Sequence, residues 1–80
     1  MIMIFSLDKS ILDKECIIIS INNNSKIKER LTDLGFIKGT NIQKVLTSPF
    51  GGISAYYLLG TLIALRNIDA KEIMVQYNDL

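Results

Sequence analysis

Eighty residues carrying nine Lys and Arg against eight Asp and Glu have a formal charge of +1, which excludes the basic excess that neutralising a nucleic-acid backbone requires. The chain is 49% hydrophobic, has one cysteine and no histidine, so it can fill one compact core over residues 1–80 but not a large pocket. Cys16 alone forms no internal disulfide, and the composition fits a reducing cytosol.

The apolar run from Met1 to Phe5 meets charge at Asp8 and Lys9, too early for the core of a signal peptide and far short of the roughly 20 residues of a membrane span. The first strong element is Glu15 to Ile21, where Ile17, Ile18, Ile19 and Ile21 make a β-branched run too short for a buried helix. It predicts a strand. Asn22, Asn23 and Asn24 interrupt it, and Asn24 or Ser25 is placed to cap a following helix.

Between Ser25 and Leu34 the apolar residues Ile27, Leu31 and Leu34 fall on one helical stripe, with Lys26, Lys28, Glu29, Arg30 and Asp33 on the other faces. Gly35 stands where a left-handed residue ends such a helix, and Phe36 is placed to touch Leu31. Gly39 supplies a tight turn over residues 37–40, and Asn41 to Thr47 reads as a strand with a bulge or change of face around Lys44 to Leu46. Pro49, Gly51 and Gly52 preclude regular pairing in the loop from Ser48 to Gly52, which also carries Phe50.

Ile53 to Leu59 and Thr61 to Arg66 read as two strands joined by a very tight turn at Gly60. Asn67 to Ile73 has room for a turn or two of helix, with Asp69 and Glu72 spaced as a capping pair, and Ile73 to Tyr77 alternates as a last strand. The class is mostly β. Five short antiparallel strands, one short amphipathic helix and a helical turn before the last strand are best accommodated by curling into a small SH3-like barrel.

The segment Lys28-Glu29-Arg30-Leu31-Thr32-Asp33-Leu34-Gly35-Phe36-Ile37-Lys38-Gly39-Thr40 resembles the L-x-x-L-G-hydrophobic-x-x-G-[ST] stretch of the FeoA family, a small cytosolic component of bacterial ferrous iron transport. Ser48-Pro49-Phe50-Gly51-Gly52 is similar to that family's A-P-[LF]-G-D-P loop, and Gly60-Thr61-Leu62-Ile63-Ala64-Leu65-Arg66 to its G-x-x-[LI]-A-[LI]-R hairpin. Lys38 replaces a usual proline, Ser20 a common glycine, Gly52-Ile53 an Asp-Pro, and Leu12-Asp13-Lys14 a Pro-Gly turn. The resemblance implies an SH3-like domain in which Leu31, Leu34, Gly35, Phe36, Gly39, Pro49 and Gly60 are structural. It also implies a FeoB-like membrane transporter as partner, met on its cytosolic, G-domain side. The same fold resembles the C-terminal domain of metal-dependent repressors, which leaves a nucleic-acid-binding or general protein-interaction barrel as the alternative.

Without histidine there is no imidazole base, triad or ligand, so neither catalysis nor a metal or cofactor site is expected. The carboxylates Asp8, Asp13, Glu15, Asp33, Asp69 and Glu72 lack EF-hand spacing and read as solvated charges. Gly51-Gly52 lacks the residues of a phosphate loop. Cys16 beside the Ile run reads as core. Lys26, Lys28 and Arg30 are interleaved with Glu29 and Asp33, a solvated face and not an RNA site.

The hairpin is the informative feature. Ser54, Tyr56 and Leu58 face one side of their strand, and Ala55, Tyr57 and Leu59 the other; Leu62 and Ala64 repeat the second face on the return strand. Both faces are largely apolar, yet a small barrel has one interior. The outer face is therefore covered by the N-terminal run, by a second copy of the chain, or by a partner docking on Phe50, Tyr57, Leu59 and Leu62.

Overall fold

The computed structural model describes residues 3–78. Six strands form one antiparallel sheet: β1 (Phe5–Ser6), β2 (Glu15–Ile21), β3 (Asn41–Thr47), β4 (Ile53–Leu58), β5 (Thr61–Arg66) and β6 (Ile73–Tyr77), in the order β1-β6-β2-β3-β4-β5. Two helices interrupt them, α1 (Lys28–Asp33) and α2 (Asn67–Ala70), and a 3-10 turn at Leu7–Lys9 follows β1. The mostly β class is as the sequence predicts, with six strands in place of five. The extra strand is only two residues long and exists by pairing Phe5 with Val75 and Ser6 with Met74, a non-local contact that no local pattern announces. Met1 and Ile2, the start of the N-terminal apolar run, lie outside the described residues.

One core joins the sheet to the helices. Cys16 and Ile18 of β2, Ile42 of β3, Tyr56 and Leu58 of β4, Leu65 of β5, and Ile73 and Val75 of β6 meet Leu7, Leu31, Phe36 and Ala70 in a single buried cluster. Cys16 is thus a core residue, fully buried.

Helix α1 starts three residues later than the apolar stripe predicts. Asn22 and Ser25 draw the chain into local bonds that compete with the first helical turn: the Asn24 amide donates to Asn22 Oδ1 at 3.1 Å and the Ile27 amide to Ser25 Oγ at 3.2 Å. The residue at the N-cap position is Ile27, not Asn24 or Ser25. Leu31 is buried and Ile27 packs on the core, but Leu34, at the C-cap position, is exposed.

The end of α1 is a Schellman stop as predicted. Phe36 N–H donates to Leu31 C=O at 3.0 Å and Gly35 N–H to Thr32 C=O at 3.1 Å, with Gly35 at φ +107°. A Cβ at Gly35 would also lie 2.8 Å from Leu59 Cδ1, the far end of an exposed side chain that can shift aside, so the positive φ is the main demand for glycine. The next turn closes from Thr40 N–H to Ile37 C=O at 3.0 Å around Gly39. Before β2, Asp13 stands at φ +63°, a conformation that Asp tolerates better than most residues and the one a turn glycine would otherwise supply.

Around β3 the register slips between Lys44 and Leu46, the bulge anticipated from the broken alternation. Lys44 points inward. Its Nζ donates to the Asp8 carbonyl at 2.8 Å and stands 6.0 Å from the Tyr56 ring centre, tying the 3-10 turn to β3. Burial holds the Lys44 ammonium below the usual lysine range, partly offset by the Asp8 carboxylate.

Helix α2 covers Asn67–Ala70 only, and Asp69 and Glu72 do not cap it. Asp69 is nearly buried, not a solvated charge. Arg66 grips it through Nε to Oδ2 at 3.1 Å and Nη2 to Oδ1 at 3.4 Å, with Arg30 Nη2 at 3.9 Å. Glu72 Oε2 instead accepts from Asn22 Nδ2 at 2.9 Å.

Candidate interaction surface

Strand β4 alternates across the sheet, so Ser54, Tyr56 and Leu58 are buried while Ile53 and Tyr57 are exposed and Ala55 half-buried. The ladder to β5 is unbroken, pairing Tyr57 with Leu62 and Ala55 with Ala64. These four side chains share the outer face. Tyr57 is 52% and Leu62 55% exposed, so the described part of the N-terminal run leaves them open. That run instead pairs with β6, where the Phe5 and Tyr77 rings lie 4.7 Å apart.

The bulge in β3 brings a further residue to this face. Leu46 pairs with Ala55 and is 61% exposed, so the outer surface has two cross-strand rows: Leu46, Ala55 and Ala64, then Gln43, Tyr57 and Leu62. Leu46 belongs with the predicted surface, and the disturbed alternation at Lys44 to Leu46 is the signal that could have found it. An isolated exposed Leu is ordinary, whereas a contiguous apolar patch in regular strands marks a contact surface.

The remaining two predicted residues lie at opposite ends of the hairpin. Strand β4 ends at Leu58 rather than Leu59, and Leu59 shares the turn with Gly60 at φ +51° and +75°. Both positive values make a two-residue turn of the mirror-image kind that matches strand twist. Leu59 is 69% exposed, its tip resting over Gly35 at the end of α1. Phe50 is 98% exposed in the loop at the far end. That loop is braced: Asn67 Nδ2 donates to Gly51 C=O at 2.6 Å and Asn67 N–H to Gly52 C=O at 2.9 Å, while Gly51 N–H returns to Ser48 C=O. Thus Tyr57 and Leu62 form one centre, Leu59 extends it toward α1, and Phe50 stands apart.

Beneath this face the interior holds polar groups, among them Ser54, the inward Lys44 and the Tyr56 phenol. Tyr56 is fully buried, and its hydroxyl, near Ser54, makes no well-aligned hydrogen bond among the described residues. Burial pushes the phenol up to about 12, with Ser54 pulling the other way. Among the described residues no group of three or more His, Cys, Asp or Glu is placed to hold a metal ion, and no helix is long and apolar enough to cross a membrane. The exposed side chains of the hairpin can bury apolar area against another surface.

A model of the FeoA domain matches residues 6–77. No curated protein matches the chain. Among solved structures, the chain is similar to an FeoA-like protein of Clostridium acetobutylicum, with 28% identity and a TM-score of 0.91 over 100% of this chain and 93% of the other. It is also similar to the zinc complex of Stenotrophomonas maltophilia FeoA, described as a procaryotic SH3 domain protein and proposed to act as a bacterial ferrous iron transport activating factor. That match has 29% identity and a TM-score of 0.79 over 89% and 88% of the two chains. A manganese-dependent transcriptional repressor shares the fold at 12% identity and a TM-score of 0.85, over 96% of this chain and 43% of the repressor. The architecture is SH3-like.

Proposed function

The chain belongs to the FeoA family, and we propose that it is a non-catalytic accessory protein of bacterial ferrous iron transport that acts in the cytosol by binding the G-domain side of a FeoB-like transporter. The observation that carries this reading is the outer face of the β4–β5 hairpin, where Tyr57 and Leu62 pair in half-exposed register beside Leu46, Ala55 and Ala64. Aromatic and aliphatic side chains held on rigid strands are the kind of group that anchors a protein interface. Leu59 completes the surface at the turn, and Phe50 supplies a second, separate contact. The absence of histidine from the sequence supports an adaptor over an iron carrier. Iron then travels through the transporter, and this domain alters the transporter's assembly or nucleotide cycle.

The test is calorimetric titration of the full chain into the purified full-length transporter from the same source, with and without GTP analogues. Saturable binding is expected, and Leu62→Asp is expected to abolish it with an unchanged circular dichroism spectrum. A folded Leu62→Asp protein that binds as well as the parent removes the hairpin surface. No binding in any nucleotide state removes the transporter reading.

A further inference from the structure

The two edges of the sheet are built differently. One edge is β1, two residues long, the blunt kind that discourages further pairing. The other is β5, six residues of sequence Thr-Leu-Ile-Ala-Leu-Arg, without proline, without a register shift against β4, and with Arg66 as its single charge. A long, unbulged edge with one charge at its end is a template for another strand.

The ladder parity says which groups it offers. The Asn67 amide donates to the Gly52 carbonyl, and bonded and non-bonded pairs alternate along an antiparallel ladder. The pairs Ser54 with Leu65, Tyr56 with Ile63 and Leu58 with Thr61 therefore exchange bonds with β4. The backbone groups of Leu62, Ala64 and Arg66 point to the open side.

We propose that β5 pairs with β5 of a second copy of this chain, antiparallel about a two-fold axis at Ala64, to make a continuous sheet through two protomers. In this register each Ala64 exchanges two hydrogen bonds with its counterpart. Each Arg66 amide donates to the Leu62 carbonyl of the other copy, giving four bonds without calling on the Arg66 carbonyl at the start of α2. The charge pattern selects a second copy in this direction. Each Arg66 faces a Leu62, and the two guanidinium-bearing residues stand four positions apart along the ladder, roughly 13 Å, beyond the ~8 Å screening length at physiological salt. A parallel pairing would set them side by side, and it would not close with two-fold symmetry. The edge uses backbone groups in the plane of the sheet, so the outer face around Tyr57 and Leu62 stays open in the dimer.

The test is sedimentation equilibrium of the full chain across a concentration series, combined with amide exchange read by NMR. A monomer–dimer equilibrium is expected, with the Ala64 and Arg66 amides exchanging at least ~10-fold more slowly in the associated state. Ala64→Pro deletes the central outward N–H while leaving the β4 ladder intact, a substitution an edge strand tolerates. Leu62→Lys places a charge on the same edge. Both are expected to be folded and monomeric. A parent protein that is monomeric throughout, or a dimer that survives both variants, overturns the proposal. So does protection of these amides that appears only when the transporter is added, since that assigns the edge to a partner strand.

Discussion

Leu59 is an apolar residue held in the left-handed region, and replacing it with Asn separates what the turn needs from what the surface needs. At φ +51° an ordinary L-residue carries strain of about 1 kcal/mol, which Asn largely escapes, and Asn-Gly is the favoured pair for this turn. The opposing term is lost burial. Leu59 is 69% exposed, so about a third of a leucine's burial value is at stake, roughly 0.5–1 kcal/mol. The two terms nearly cancel. Leu59→Asn is expected to leave stability unchanged or raise it by up to about 0.5 kcal/mol, a melting-temperature gain of up to ~4 °C for a domain of this size. Binding to the transporter should weaken, because an anchoring side chain is gone. Thermal and urea denaturation measure the first quantity and calorimetry the second. A drop of more than about 1 kcal/mol in stability refutes the strain argument, since the contact over Gly35 would then outweigh it.

Gly35→Ala is expected to cost about 1–2 kcal/mol, chiefly from a backbone at φ +107°, since the Leu59 tip that its Cβ meets is free to shift; a neutral result by urea denaturation would contradict the strain. Asp69→Ala is expected to cost about 1–2 kcal/mol, less than a deeply buried pair, because the Arg66 and Arg30 side chains that it releases are more than half exposed and can hydrate. Tyr56→Phe is expected to be near neutral at pH 7, since the hydroxyl it removes makes no well-aligned hydrogen bond, Ser54 standing only nearby. The same variant should change the alkaline limb of stability. With its folded pKa raised from 10 to about 12, Tyr56 contributes fully below pH 10, and the contribution is lost as pH rises through 12, by up to ~3 kcal/mol. Lys44 works in the opposite sense: its folded pKa is lowered, so stability rises between that value and 10.5. Denaturation curves from pH 8 upward should therefore show a maximum in the parent and a weaker alkaline fall in Tyr56→Phe.

The strands Glu15–Ile21, Asn41–Thr47, Thr61–Arg66 and Ile73–Tyr77 were legible because each is an apolar or alternating run bounded by residues with their own turn chemistry. The end of α1 was legible for the same reason, since Leu31, Gly35 and Phe36 encode it within six residues. What was not legible depends on distant partners. Strand β1 exists only against β6, the inward turn of Lys44 only against Asp8, and the ion pair of Asp69 only where α2 meets β5 and α1. In the candidate surface, Tyr57 and Leu62 followed from alternation, but Leu46 needed the register slip in β3. The left-handed placement of Leu59 needed the Leu58–Thr61 pairing that defines the turn.

The brace beneath the loop from Ser48 to Gly52 changes how Phe50 is to be understood. A ring with 98% exposure has almost no contact to hold it, yet the backbone beside it is bonded through Asn67 to the start of α2. On association, such a group has only its side-chain torsions left to fix, because the main-chain freedom was surrendered when the domain folded. Fixing a side chain costs about 0.5–1.5 kcal/mol, less than the roughly 1–2 kcal/mol per residue of ordering a flexible loop. Asn67→Ala would remove the side-chain bond to Gly51 and leave the backbone bonds, returning part of that freedom to the loop, so its cost to a partner that reads Phe50 should fall in the entropy of binding with little change in enthalpy.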